Sequence, residues 1–127
     1  MRYDPDRPAD AAQWLRLDEQ ERMAAVRAYH RRAKVKLPNE EMHAVFHVIV
    51  EDQLAMQLQH VVDASTRLQA EGLTRHDCIH AIASVLSGEL FDLLKAETPW
   101  SGDADEHYAR GLAALTAKSW LASIEDE

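Results

Sequence analysis

Five residues in this sequence have the types and the spacing for metal chemistry. In HAVFHVIVE, His43, His47 and Glu51 follow one another at intervals of four, and in RHDCIH the interval recurs at His76 and His80. On a helix turning about 100° per residue, such positions fall at about 0°, 40° and 80°, which is one stripe. Two imidazoles in that relation can each bring a nitrogen to about 2.0–2.1 Å from a single ion. The glutamate of the helical H-E-x-x-H zinc motif is missing, because Ala44 and Asp77 stand in its place. A zinc protease is therefore not indicated. Glu51 would add an oxygen donor one turn beyond His47. His43, His47, Glu51, His76 and His80 together exceed a closed tetrahedral site and suit a five- or six-coordinate or dinuclear centre. The expected cofactor is a divalent metal ion: zinc, iron, nickel or manganese. No residue stands out as a catalytic base, so no reaction or small-molecule substrate is assigned. The competing reading is a non-catalytic interaction or oligomerisation module whose inward histidines are structural, since histidine is often a hydrogen-bonded core residue.

The elements that must position these residues are helical. Alanine and leucine are abundant while glycine and proline number only four each, a composition that favours helix over sheet. Residues 1–9, with two prolines, read as an extended arm. Asp10 can cap a short helix carrying Trp14, and Asp18 with Glu21 matches a capping box for a helix over 19–33. Pro38 breaks the pattern and Asn39 can cap the next helix. That helix carries Met42, Val45, Phe46, Val48, Ile49, Val50 and Leu54 around nearly its whole circumference, so it is expected to be central. No Gly or Pro interrupts residues 51–71. One helix over 40–71 would be unusually long for so small a domain, so a break near 57–60 is expected, giving helices over about 40–56 and 60–71. Without that break the two histidine pairs would lie far apart and could meet only across a homodimer interface. With it, the helices beginning near 40 and 75 are expected to run parallel, with both pairs at one end. Gly72 suits a helix C-terminus, and Thr74 with Asp77 suits the start of a helix over 75–96. Beside His76 and His80, that helix carries Ala83, Ser84 and Ser87, small residues that leave room for a metal, a water or a small ligand. A loop over 98–102 and a last helix through about 122 follow, with Leu112, Leu115 and Trp120 inward. Residues 123–127 read as a frayed tail. The expectation is an all-α, single-domain helical bundle of five to six helices spanning 1–127.

Composition narrows the partners. The net charge is −8 over 127 residues. Residues 1–37 hold nine Lys/Arg against six Asp/Glu, and the remainder five against sixteen. Such an acidic body is a poor surface for phosphate backbones, so nucleic acid is not the expected main partner and DNA binding is the weakest of the readings. The glycine-containing turn in LQAEGLTRHDCIHAI has the outline of a helix-turn-helix, but Arg75 is the only basic residue on its second helix. The basic run from His30 to Lys36 fits a helix C-terminus, where positive charge complements the dipole. No apolar run is long enough for a membrane span. The start lacks the apolar stretch of a secretory signal, so the cytoplasm is the expected compartment. The single cysteine, Cys78, excludes an intrachain disulfide and a cysteine-rich zinc site. It lies about 200° from His76 around the helix, off the ligand stripe, and reads as a core thiol.

Two resemblances accompany these residues. Taken with His30 and His107, the paired motifs resemble in outline the ligand set of the hemerythrin di-iron bundle. The pattern departs from it at Leu112, where hemerythrins place a carboxylate, and in the longer linker between the pairs. His60 and His107 accordingly read as surface or boundary residues. The stretches YDPDRPADAAQWLRLDEQER, AYHRRA, LPNEEMHAVFHVIVEDQ and EGLTRHDCIHAIASVL, followed by DLLK, resemble an uncharacterised bacterial family of small helical proteins, a domain of unknown function with paired H-x-x-x-H motifs. This resemblance covers most of residues 3–95. It implies a turn after the Glu-x-Gln segment and implies no activity.

Overall fold

The computed structural model of the protein describes residues 2–33, 39–95 and 104–125. Among them are seven α-helices and no strand: α1 (Ala11–Arg16), α2 (Glu19–Arg32), α3 (Glu40–Ala55), α4 (Gln59–Ala70), α5 (Arg75–Lys95), α6 (Ala104–Ala114) and α7 (Ala117–Glu125). The anticipated starts are in place. Asp10, Asp18 and Asn39 each accept a backbone N–H of the first turn of α1, α2 and α3, and Asp18 and Glu21 complete a reciprocal capping box. The Asp77 N–H donates to Thr74 Oγ1 at the start of α5. The expected loop over 98–102 lies outside the described residues, as do Lys34 to Pro38.

The expected count of five to six helices is corrected to seven among the described residues. A single last helix was anticipated where α6 and α7 stand. The break is a cap in Thr116-Ala-Lys-Ser119. The Ser119 N–H donates to Thr116 Oγ1 at 3.0 Å and the Thr116 N–H donates to Ser119 Oγ at 3.1 Å. This is a capping box with serine in place of glutamate. Side chains of α4 secure it. Arg67 donates to the Leu112 and Leu115 carbonyls at 2.9 and 2.7 Å, and Glu71 accepts the Ala117 N–H at 2.9 Å. Carbonyls orphaned at the end of α6 and an amide at the start of α7 are thereby satisfied.

The break between α3 and α4 falls where it was expected, without glycine or proline. Met56 ends α3, the Gln57 N–H donates to the Leu54 carbonyl and the Leu58 N–H to the Gln53 carbonyl. This is a Schellman motif, and it holds Gln57 at φ 57°. The same pair of bonds closes α4, where Gly72 takes the left-handed position at φ 109°. A side chain in that conformation is strained. Gln57→Gly is therefore expected to stabilise the protein by about 0.5–1 kcal/mol, read as a higher urea midpoint at unchanged slope.

Helix α3 is central, as its all-round apolarity implies. It packs against α1, α2, α4 and α5. Ala44 and Val48 join Tyr3, Trp14, Met23 and Val26 in one apolar cluster. Val50 joins Val61, Leu68, Ile79, Ile82, Leu112 and Trp120 in a second. At about 100° per residue the stripe of His43, His47 and Glu51 lies between these two faces of α3. Two polar anchors fix α1 and α2 on α3: Trp14 Nε1 donates to Asp52 Oδ1 at 2.8 Å, and Arg22 Nη1 donates to the same oxygen at 3.1 Å. Trp14 and Trp120 are buried, and Trp100 lies outside the described residues. No helix among the described residues is long and apolar enough to cross a membrane.

Candidate metal centre

Three helices converge on one group of imidazoles. His30 comes from the last turn of α2, His43 and His47 from α3, and His76 and His80 from the first turns of α5. Ring centroids are 4.9 Å apart for His43 and His80, 5.6 Å for His47 and His76, and 4.3 Å for His76 and His80. His30 closes the group at 4.8 Å from His43 and 5.6 Å from His47. The two pairs thus meet within one chain, and no dimer interface is needed to join them. Their order is reversed: His43 opposes His80, His47 opposes His76, and Glu51 reaches Arg75. Helices α3 and α5 therefore cross in opposite senses, whereas parallel helices were expected. That expectation assumed that both turns between α3 and α5 reverse the chain, and the pairing of His43 with His80 and of Glu51 with Arg75 shows that they do not both do so.

The closest group of ring nitrogens coincides only in part with the anticipated ligands. One ring nitrogen from each of His30, His47, His76 and His80 lies within 4.8 Å of the other three. His43 packs its ring against His30 and His80 but stands outside that group of four. Glu51 is buried and committed elsewhere. Arg75 grips both of its oxygens, Nη2 to Oε1 at 2.7 Å and Nη1 to Oε2 at 2.9 Å, and the Tyr3 hydroxyl donates to Oε2. His107 is half-buried on α6 and His60 is exposed on α4, and neither belongs to the group.

His30 enters the sequence expectation only through the hemerythrin likeness, and Tyr3 has no place in it. His30 had a signal: it continues the Met23, Val26 spacing of α2, and all three residues are buried. Tyr3 had none, because its contacts with His47 and Glu51 span 44 and 48 positions.

Hydrogen bonding fixes which nitrogen of His47 faces the group. The Tyr3 hydroxyl has one proton and gives it to Glu51, so its oxygen accepts from His47 Nε2–H at 2.6 Å. The remaining His47 nitrogen, Nδ1, then carries the lone pair, and it is buried without a hydrogen-bond partner in the chain. Nε2 of His30, His43, His76 and His80 is likewise buried and unpartnered. An imidazole held in one tautomer by an outer carboxylate is the arrangement that prepares a metal ligand. Here tyrosine stands between the two. Burial together with the Glu51 charge keeps the Tyr3 phenol protonated far above its ordinary value.

The five rings are neutral at physiological pH. Burial, and then the neighbouring imidazoles, push His47 down to about 2, His80 to about 3 and His30 to about 4. His43 and His76 are lowered mainly by burial. Protons therefore do not compete for these lone pairs near pH 7.

The arm before α1 seals one side. Tyr3 and Pro5 are buried. Arg32 donates to the Tyr3 carbonyl at 2.9 Å, Arg75 to the Pro5 carbonyl at 2.9 Å, and the His76 N–H to Asp6 Oδ1 at 3.2 Å. On another side a cavity of about 190 Å³ is lined by His43, Phe46, His47, His80, Ala83 and Ser84. Its small residues are among those expected to leave room beside the histidines. Cys78 is buried on the opposite face of α5, its Sγ 3.8 Å from the Ser65 carbonyl. Burial pushes its thiol up to about 11, so it is no nucleophile at neutral pH. Searches of protein-family models, of curated proteins and of solved structures find no match to this chain.

Proposed function

We propose that this chain is a metal-binding helical-bundle protein in which His30, His47, His76 and His80 hold one divalent transition-metal ion. The observation that carries the reading is the gathering of four imidazole nitrogens from three helices within 4.8 Å. Energetics support it. Each buried nitrogen without a partner costs about 1–3 kcal/mol, and there are five such imidazoles around this point. Their summed cost rivals the whole stability of a domain, about 5–15 kcal/mol. Coordination of four of them turns most of that cost into binding energy. Four nitrogens at bonds of about 2.0–2.1 Å from one ion would stand about 3–3.5 Å apart, so ring rotations of about an ångström bring them into range, and a five-coordinate ion keeps one position for an outside ligand. A donor set of imidazoles alone favours zinc, nickel or iron over manganese, which prefers oxygen. Glu51, offered by the sequence as a ligand, acts in this reading through Tyr3 and the tautomer of His47.

Protein purified without a polyhistidine tag is expected to contain, or take up, about one equivalent of transition metal. At free metal a hundredfold above Kd, binding stabilises the fold by about 2.7 kcal/mol. His76→Ala is expected to weaken binding by at least about tenfold with the helical circular dichroism retained. Metal content below about 0.1 equivalent, with no uptake on titration, removes the proposal.

A second reading, an interaction module with structural histidines, draws on the exposed apolar residues of α5: Leu90, Phe91 and Leu94, which are 42%, 56% and 77% accessible. It expects His76→Ala to change stability or assembly while metal content stays at zero in both proteins.

A further inference from the structure

The cavity beside the histidines has no role in holding the ion. It touches the group through His47 and His80, and its other walls are His43, Phe46, Ala83 and Ser84. We propose that it is the binding site of a small monodentate anion, coordinated to the metal ion on the side of His47 and His80 and hydrogen-bonded by His43. The inference rests on the metal reading above.

Charge points to an anion. Four neutral imidazoles leave the two positive charges of the ion uncompensated, and a buried charge requires a counter-charge. Glu51, the carboxylate on the same stripe, is already neutralised by the Arg75 guanidinium. Asp4, Asp6 and Asp77 place negative charge near His76, but no carboxylate lines the cavity, so on the side of His47 and His80 an outside anion supplies the counter-charge. Room is available, since about 190 Å³ exceeds the share of one liquid water, about 30 Å³, several-fold. The size admits azide, formate or a comparably small carboxylate. Phe46 and Ala83 make part of the wall apolar, which strengthens electrostatic attraction to the ion by excluding water.

His43 supplies the polar contact. Its ring packs between His30 and His80, outside the group of four, and its Nε2 is buried without a partner. A neutral imidazole there, protonated at Nε2, donates one hydrogen bond to an anion on the metal. Ser84 does not compete for this role, because its hydroxyl donates to the Ala81 carbonyl at 2.6 Å.

The test uses tag-free full-length protein loaded with cobalt(II), titrated with sodium azide and followed by its visible spectrum, with metal content measured in parallel. A saturable spectral change at constant cobalt content is expected. Ser84→Phe, at the exposed mouth of the cavity, should keep cobalt and lose the azide response. His43→Ala should keep cobalt and bind azide about tenfold more weakly, the loss of one hydrogen bond to a charged group. Cobalt bound with no azide response in the unmodified protein overturns this inference and leaves the metal reading standing. Loss of cobalt in His43→Ala also overturns it, because His43 would then be a ligand. Failure to take up cobalt at all overturns both.

Discussion

Replacing Glu51 by alanine is expected to destabilise the protein by about 3–5 kcal/mol, the cost of leaving a buried charge without its partner. The Arg75 side chain is 12% accessible and that of Glu51 3%. Burial opposes the Arg75 charge, but its bonds to Glu51 outweigh this and hold its pKa above the ordinary value. Removing the carboxylate also takes the acceptor from the Tyr3 hydroxyl. Urea denaturation of the metal-free protein measures the effect. The double substitution Glu51→Ala with Arg75→Met should cost less than Glu51→Ala alone, because no charge is then stranded. A Glu51→Ala protein within about 1 kcal/mol of the parent would show that the pair is solvated and carries no such weight. The same chain of bonds bears on the proposed metal site through His47. Tyr3→Phe removes the acceptor that fixes the His47 tautomer, and metal affinity should fall about 10- to 100-fold.

Acid should unfold the metal-free protein through its buried histidines, beginning above the pH at which carboxylates titrate. The unfolded chain binds protons at its histidines below the ordinary value of 6.5, while in the folded chain burial holds His30 near 4 and His47 near 2. Between those limits the unfolded state carries more protons, so stability is complete above pH 6.5 and declines as the pH falls towards the folded values. At pH 5 the two buried rings together cost about 4 kcal/mol, about 2 kcal/mol each. His80, His43 and His76 are shifted in the same direction. Set against a total of about 5–15 kcal/mol, this places the acid transition of the metal-free protein between pH 6 and 4, to order of magnitude. A bound metal replaces the protons at four of these rings, so loading should move the midpoint to lower pH until the metal itself is displaced. Circular dichroism against pH, with and without metal, checks both statements. A metal-free protein that stays folded at pH 3 would mean that the rings are protonated and paired in the native state.

The sequence alone was enough for the all-α class, the caps at Asp10, Asp18, Asn39 and Thr74, the centrality of α3 and the inward stripe of His43 and His47. All of these are local: a helix start needs a side chain within three residues, and a face follows from a fixed turn per residue. The tertiary structure decided everything that joins distant residues. It brought Tyr3 from the arm to His47 and so chose which ring nitrogen faces inward. It gave Glu51 to Arg75 and brought His30 into the group of four close ring nitrogens that leaves out His43. It also crossed α3 and α5 in opposite senses. None of this has a period or a spacing to read, because the partners are separated by tens of residues and their meeting depends on how seven helices share two apolar clusters. The break at Thr116 belongs to both levels: its cap is written locally, while Arg67 and Glu71 secure it from another helix.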